Sequence, residues 1–360
     1  MAGGPAGAAG GVDARPGRLR WGGRWRGRQR GHQRRDWRQR AAGPGRSGRR
    51  CEPIRWDYFI FVGNTHPIGQ YALEFAEAVR ERTGGRLEIT VRPAGELPYK
   101  ATEAVRITSD GSVQMADGYV GFVAGDSKVA ALPGLPFLIR NFDEFKTAYP
   151  ALEPHLLADL ERQGVVLLYT YTWPPQNVWG REQPIRTLAD FAGRKIRTTS
   201  PEQAALIEKL KAEPVTFTTA EVPAAMQRGV MDAVLTAGFN ALGSQWQEFL
   251  DWGYLPDIHI GPSYILVNRE AYAALPSEVR EQLDAVAAEF EQRQSEEIIA
   301  READDRRTLA AQHGLELIEA RAEDVEAATE LMKPYWEEWA AQAGAAAQAA
   351  LADVRQALAK

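Results

Sequence analysis

The segment from Lys195 to Gln203 passes from a strand pattern to a helix start within a few residues. Ser200 has the character of an N-cap, Pro201 suits the first helical position, and Gln203 follows at capping-box spacing. Because Arg197 comes just before this helix start, its guanidinium is expected at a strand end beside exposed N–H groups, where anions bind well. The segment therefore predicts a carboxylate site at Arg197. An ion pair between Arg197 and an internal acid is the alternative at this point.

Strand and helix patterns alternate along most of the chain from residue 56 onward, which is typical of an α/β protein. Two stiff segments, Trp173-Pro174-Pro175 and Gly261-Pro262, indicate that the chain leaves one lobe, builds a second and returns. The prolines at 150 and 154 are expected to interrupt a helix over 142–160. A helix predicted from Ser277 to His313 would be roughly 50 Å long, enough to span two lobes.

Residues 1–55 carry 15 arginines against three acidic residues, although the whole chain has a formal net charge of −5. Gly, Ala, Arg and Trp dominate this region without apolar periodicity, so we expect a disordered or spurious extension outside the fold. Nucleic-acid binding by this basic arm is an alternative, and the acidic body of the chain argues against it. The region lacks the apolar core of an export signal, which suggests a wrong start or reading frame.

Motifs for catalysis and for cofactors are absent from the sequence. The five histidines are far apart, and neither a Gly-x-Ser-x-Gly elbow nor a phosphate-binding loop occurs. We therefore predict no catalytic residue, no metal and no cofactor, with an α/β enzyme acting on a small carboxylic acid as the alternative function. Cys51 is the single cysteine, which excludes an internal disulfide.

Polar and aromatic residues cluster at the predicted strand ends, where ligands bind in open α/β folds. Each of them taken alone is also explained by packing or by turn formation. The candidate ligand-binding residues are Arg197, Asn64, Tyr119, Trp173, Asn177, Trp179, Thr219, Thr236 and Phe239.

Several motifs occur in a fixed order between residues 56 and 340. They are Phe75-Ala76-Glu77-Ala78-Val79, Thr83-Gly84-Gly85-Arg86-Leu87-Glu88-Ile89, Leu135-Pro136-Phe137-Leu138, Leu188-Ala189-Asp190-Phe191-Ala192-Gly193-Arg194-Lys195-Ile196-Arg197, Ala220-Glu221-Val222, Met226-Gln227-Arg228-Gly229-Val230-Met231-Asp232 and Leu275-Pro276. This series resembles the extracytoplasmic solute-binding proteins of tripartite ATP-independent periplasmic (TRAP) transporters, the DctP-type family. Several separated motifs in register are far more specific than any one of them.

The resemblance implies a two-lobed α/β fold of the periplasmic-binding-protein kind, type II-like, with a long helix spanning both lobes. It places lobe I at 56–174 plus 262–300 and lobe II at 175–261 plus 301–343, followed by a C-terminal helix at 344–360. The ligand would lie in the cleft between the lobes. The chain would then be a periplasmic receptor, expected to be a monomer, and not an enzyme.

The resemblance also implies that Arg197 holds the carboxylate of an organic acid and that closure of the lobes prepares docking onto a membrane permease. Asn64 and Tyr119 match ligand-facing positions of the first lobe, and Trp173 to Trp179, Thr219 and Thr236 match positions of the second. The sequence departs from some relatives, because no second arginine stands near Asn177 and Thr236 replaces an Asn. The identity of the acid is therefore not implied.

Overall fold

A computed structural model describes residues 52–360 of the chain. Eleven strands occur in these residues: β1 (Ile54–Phe59), β2 (Leu87–Arg92), β3 (Met115–Tyr119), β4 (Val165–Trp173), β5 (Asn177–Gly180), β6 (Lys195–Thr198), β7 (Glu213–Thr216), β8 (Ala233–Thr236), β9 (Trp252–Leu255), β10 (Gly261–Asn268) and β11 (Glu316–Glu319). The predictions for residues 1–51 lie outside the described residues.

Twelve α-helices occur in the same part of the chain. They are α1 (Pro67–Arg82), α2 (Ala104–Ser109), α3 (Val120–Val123), α4 (Lys128–Ala131), α5 (Phe142–Arg162), α6 (Pro201–Lys209), α7 (Val222–Gln227), α8 (Gly238–Gly243), α9 (Arg269–Ala273), α10 (Ser277–His313), α11 (Ala322–Ala343) and α12 (Ala345–Leu358). Short 3-10 turns supplement them, including Thr219–Glu221 and Trp246–Glu248. The predicted α/β class is confirmed.

The strands form two separate sheets, each the centre of one lobe. The first lobe has strand order β2-β1-β3-β10-β4, with β10 antiparallel to both of its neighbours. The second lobe has order β11-β9-β5-β8-β6-β7, with β6 parallel to β7 and β8. The carboxyl ends of β1, β3, β6 and β8 lead into loops and short helices that approach one another between the sheets. This arrangement creates the place where a ligand site is expected.

The chain crosses between the lobes at two short segments, residues 174–176 and 256–260. These segments are bonded to each other, since the Gln176 N–H donates to His259 O at 2.8 Å and the Ile258 N–H donates to Gln176 O at 2.9 Å. The first crossing agrees with the prediction. The second precedes Gly261 and Pro262, which instead begin β10 opposite Trp173 and Thr172, because proline is tolerated at a strand start.

Helix α10 is the third connection and contacts both lobes. Phe290 packs in the core of the first lobe and Leu309 in a core cluster of the second. The carboxylate of Glu302 accepts hydrogen bonds from the Gly238 and Phe239 N–H groups at the start of α8, at 3.1 and 2.7 Å. The predicted long helix that spans both lobes is therefore confirmed.

Helix α5 is continuous through Pro150 and Pro154, so the predicted interruption is wrong. Both prolines lie on the exposed face of the helix, and so does Lys146, four residues before Pro150. Water can therefore satisfy the carbonyl groups that each proline leaves without an N–H partner. The buried face, which includes Leu152 and Leu156, packs without a break.

Candidate ligand-binding site

Arg197 lies in β6 between two parallel neighbours, opposite Val215 of β7 and Val234 of β8. The residue is only 2% exposed. Its Nε donates to Phe217 O at 2.8 Å, and its Nη1 donates to Leu235 O at 3.3 Å. Two main-chain carbonyls thus fix the plane of the guanidinium, while Nη2 is buried without a hydrogen-bond partner among the described residues.

The buried charge of Arg197 has no anionic partner among the described residues. Within residues 52–360, no Asp or Glu oxygen lies within ion-pair distance of its guanidinium, in contrast to many of the exposed arginines. Burial therefore lowers the pKa of Arg197 to about 10, with Tyr119 and Glu221 acting weakly in the opposite sense. The Trp246 ring, 5.7 Å from the guanidinium carbon, gives additional cation–π stabilisation. An ion pair between Arg197 and an internal acid, the alternative interpretation of the sequence, is therefore absent from the described residues.

A cavity with an empty volume of about 260 Å³ lies beside Arg197, between the two lobes. This volume includes space that is open to solvent. The lining residues are Phe61, Tyr119, Phe122, Trp173, Gln176, Arg197, Thr199, Thr219, Thr236 and Asn240.

The first lobe contributes an aromatic wall to this cavity. The rings of Phe61 and Trp173 are stacked with centroids 5.8 Å apart. Phe122 packs edge-on against Phe61, and the Tyr119 ring lies tilted against it. The Trp173 N–H donates to Ser263 Oγ at 3.0 Å, so this indole offers only an apolar face to the cavity. The Tyr119 hydroxyl is buried without a partner among the described residues. The wall is therefore apolar except for one free hydroxyl.

The second lobe contributes the polar side of the cavity. The Asn240 Nδ2 donates to Thr236 Oγ1 at 2.9 Å, and Thr219 lies in the short turn after β7. The Thr199 N–H and hydroxyl both donate to Gln203 Oε1, at 2.7 and 3.0 Å. The predicted capping box is therefore only half formed, since the Gln203 side chain bonds Thr199 and not Ser200.

Five of the nine predicted residues line the cavity: Arg197, Tyr119, Trp173, Thr219 and Thr236. The structure does not bring the other four to it. Asn64 is exposed, and its carbonyl accepts a bond from the Gln70 side chain. The Asn177 side chain is bonded to Asp257 in both directions, at 3.0 and 2.7 Å.

The remaining two predicted residues, Trp179 and Phe239, are packed inside the protein. Trp179 is fully buried in the core of the second lobe, and its N–H donates to Thr236 O at 3.0 Å. Phe239 lies behind the cavity wall, where its ring contacts Trp173 edge-on at 5.7 Å. Both residues therefore support lining residues from outside the cavity.

Five of the ten lining residues are not among the nine candidate residues. They are Phe61, Phe122, Gln176, Thr199 and Asn240. Gln176, Thr199 and Asn240 each lie within two residues of a predicted site residue, and this proximity is a signal that the sequence carries. The two phenylalanines carried no distinguishing signal, because aromatic residues after strands usually pack in the core.

Close contacts join the lobes beside the cavity. Gly121 of the first lobe lies directly against Thr199, so a methyl group at Gly121 would overlap the Thr199 hydroxyl. The His66 ring lies against Gly243 in the same way. At the surface, Lys100 Nζ and Glu221 Oε1 form an ion pair at 3.2 Å. These contacts describe lobes that are closed around the cavity.

Within residues 52–360, no group of His, Cys, Asp and Glu side chains is close enough to hold a metal ion. No helix in that range has the length and apolar character needed to cross a bilayer.

Comparison with known proteins gives a consistent picture. The C4-dicarboxylate-binding periplasmic protein DctP of Rhodobacter capsulatus is 26% identical, over 84% of this chain and 91% of that protein. Two extracytoplasmic solute receptors of Bordetella pertussis, both solved as receptors binding pyroglutamic acid, are 28% and 29% identical with TM-scores of 0.79. They match 84% of this chain and 99% and 100% of their own lengths.

These comparisons confirm the predicted two-lobed receptor fold and give no support to the enzyme alternative. Proteins of this kind are periplasmic, bind small carboxylates and work with membrane permease subunits. The profile described as "Bacterial extracellular solute-binding protein, family 7" matches residues 60–343. The chain therefore belongs to this family, the DctP family of solute receptors, as the order of its sequence motifs indicated.

Proposed function

We propose that this receptor binds a small monocarboxylate in the cavity between its lobes, with the carboxylate held by Arg197. The observation that carries the proposal is the unpartnered Arg197 Nη2, which is buried beside an interlobe cavity with no acid within ion-pair distance among the described residues. A buried charge without a counter-ion is costly, and a ligand carboxylate would supply that counter-ion. The Tyr119 hydroxyl, which also has no hydrogen-bond partner in residues 52–360, is a further donor for the carboxylate.

The cavity favours one carboxylate over two. Among its lining residues, Arg197 is the single cation, and the opposite wall is aromatic. A second carboxylate would be buried without a partner, which costs several kcal/mol. Pyroglutamic acid, the ligand of the two Bordetella receptors, has one carboxylate on a small ring and suits this lining. A C4-dicarboxylate, which the Rhodobacter relative binds by name, suits it less well.

The remaining parts of the proposal concern location and assembly. The receptor is a periplasmic monomer, and its closed, loaded form docks onto a TRAP permease. The lobe bounds are 56–174 plus 262–300 and 175–261 plus 301–343, with residues 344–360 as a C-terminal helix. The division is supported by the strands, since those of each sheet fall within the bounds of one lobe apart from the first residues of β1 and of β10.

A thermal-shift screen tests the proposal. Pyroglutamate, succinate and glucuronate are each added to the purified protein, and hits are confirmed by titration calorimetry. A ligand at 100 times its Kd stabilises the folded state by about 2.7 kcal/mol, which is a readily measured shift. We expect stabilisation by pyroglutamate and a weaker effect of succinate. Failure of every carboxylate in the screen would refute the proposed ligand class, and turnover of a hit would instead indicate an enzyme.

A further inference from the structure

A chain of buried hydrogen bonds links the crossing between the lobes to the cavity. His259 lies in the second crossing segment, and its Nδ1 is 3.0 Å from Ile260 O. Its Nε2 is 2.9 Å from Gln203 Nε2. Gln203 Oε1 in turn accepts from the N–H and the hydroxyl of Thr199, which lines the cavity. His259 and Gln203 are each 1% exposed, so water does not compete for these bonds.

Each end of this series of hydrogen bonds fixes, independently of the other, where the protons along the series lie. At one end, a carbonyl oxygen can only accept, so His259 Nδ1 must carry a proton towards Ile260 O. Burial lowers the pKa of His259 to about 4, so the ring is neutral at pH 7 and Nε2 is an acceptor. The Gln203 NH₂ group must therefore face His259. At the other end, the Thr199 main-chain N–H can only donate, which again places Gln203 Oε1 towards Thr199.

This arrangement commits the hydroxyl proton of Thr199 to Gln203. What remains of that hydroxyl is its lone pairs, so Thr199 offers the cavity an acceptor and not a donor. The contact of the Thr199 side chain with Gly121 of the first lobe restrains its rotation in the closed protein. Two other lining residues offer donors instead, because Arg197 Nη2 has no hydrogen-bond partner among the described residues and Thr236 Oγ1, which accepts from Asn240, keeps its own proton available.

We propose that Thr199 is a specificity-determining acceptor, positioned by Gln203 and His259, and that the receptor selects carboxylates that also carry an N–H or O–H donor. The inference rests on the proposed function, since it assumes that the carboxylate binds at Arg197. A ligand that places an acceptor oxygen at Thr199 brings two sets of lone pairs together. A ligand that places an N–H or O–H donor at Thr199 forms a hydrogen bond to the hydroxyl oxygen of this residue.

Two pairs of carboxylates test this selectivity on the wild-type protein. Pyroglutamate is compared with 5-oxotetrahydrofuran-2-carboxylate, and pyrrole-2-carboxylate is compared with furan-2-carboxylate. Within each pair, an N–H is replaced by an oxygen at nearly constant shape and charge. We expect calorimetry to show the N–H member binding at least about tenfold more tightly. Equal affinities within a pair would overturn the inference while leaving the proposed function intact. The inference also fails if neither pair binds, even where the acid screen finds another ligand.

Variants assign the selectivity to named residues. Thr199→Val removes the acceptor at similar volume, and we expect the preference for N–H ligands to fall to within about twofold. Gln203→Met frees the Thr199 hydroxyl to donate, so the preference should shrink there also. Thr198→Val is the matched control, because this neighbouring hydroxyl faces Thr216 Oγ1 at 3.4 Å and not the cavity. An undiminished preference in both Thr199→Val and Gln203→Met would overturn the assignment. Cooperative thermal unfolding of each variant verifies that it is folded.

Discussion

Replacing Arg197 by methionine should affect the empty receptor and the loaded receptor in opposite directions. Burial lowers the pKa of Arg197 to about 10, well below the ordinary value of arginine, which corresponds to about 3 kcal/mol of destabilisation of the charged side chain. The two hydrogen bonds to Phe217 O and Leu235 O return about 1 kcal/mol each. Methionine fills a similar volume without a charge, so we expect the empty Arg197→Met protein to be as stable as wild type or slightly more stable.

Ligand binding should be lost in the same variant. The ligand carboxylate would be buried without its cation, which costs about 3–5 kcal/mol, or about two to three orders of magnitude in Kd. Urea denaturation measures the stability of the empty protein, and titration calorimetry with pyroglutamate measures the affinity. Arg140→Met is the matched control, because the Arg140 guanidinium also donates to two main-chain carbonyls, Pro256 O and Asp257 O, but does not line the cavity.

Two results would refute this reasoning about Arg197. If Arg197→Met bound pyroglutamate with wild-type affinity, the anchoring role would be wrong. If the empty variant were destabilised by several kcal/mol, the arginine would be a structural residue whose hydrogen bonds outweigh its desolvation. The control should instead lose a little stability and keep its affinity within about threefold.

Further predictions concern single residues around the site. Gly121→Ala places a methyl group against Thr199, so the lobes should close less completely. We expect calorimetry to show binding at least about tenfold weaker, and small-angle scattering to show a smaller compaction when ligand is added. Trp179→Phe removes a buried indole and its bond to Thr236 O, so it should lower the free energy of unfolding by about 1–3 kcal/mol while changing the Kd by less than about twofold. Burial raises the pKa of Asp117 to about 7, so its protonation stabilises the fold below about pH 4 and this contribution is lost as the pH rises to 7. The free energy of unfolding of Asp117→Asn, relative to that of wild type, should therefore increase between pH 4 and 7 by at most about 1.4 kcal/mol per pH unit. Urea denaturation at a series of pH values measures this difference.

Elements with local signals were predictable from the sequence. Helix α10 begins at Ser277 and ends at His313 as expected, and Gly314 follows in the left-handed conformation that ends helices. Thr218 and Glu221 have capping-box spacing in the sequence, and the box forms in the structure. The continuity of α5 through Pro150 and Pro154 was not predictable from the sequence. The effect of a proline depends on whether it lies on the exposed face of the helix, and tertiary packing determines which face is exposed.

The cation of the binding site was predictable from the sequence, and the other residues that line the cavity were less so. Arg197 was identifiable because the strand end and the helix start are both local features. Trp173 and Trp179 look alike in the sequence, yet Trp173 ends β4 of the first lobe and faces the cavity, whereas Trp179 lies in β5 of the second lobe and packs in a core. Thr199 acquires its role from Gln203 and from His259, which is 60 residues away along the chain and is brought close only by the fold. No sequence spacing encodes that approach.

Helix α10 makes the two lobes of this protein structurally dependent on each other. One helix supplies Phe290 to the first core and Leu309 to the second, while Glu302 completes the start of α8. A gene fragment ending near residue 300 would therefore leave the second lobe with an incomplete core and two unpaired N–H groups. The lobes of this receptor share one helix and are not separable units, so neither can be expressed alone or exchanged with that of a relative unless this helix is transferred with it.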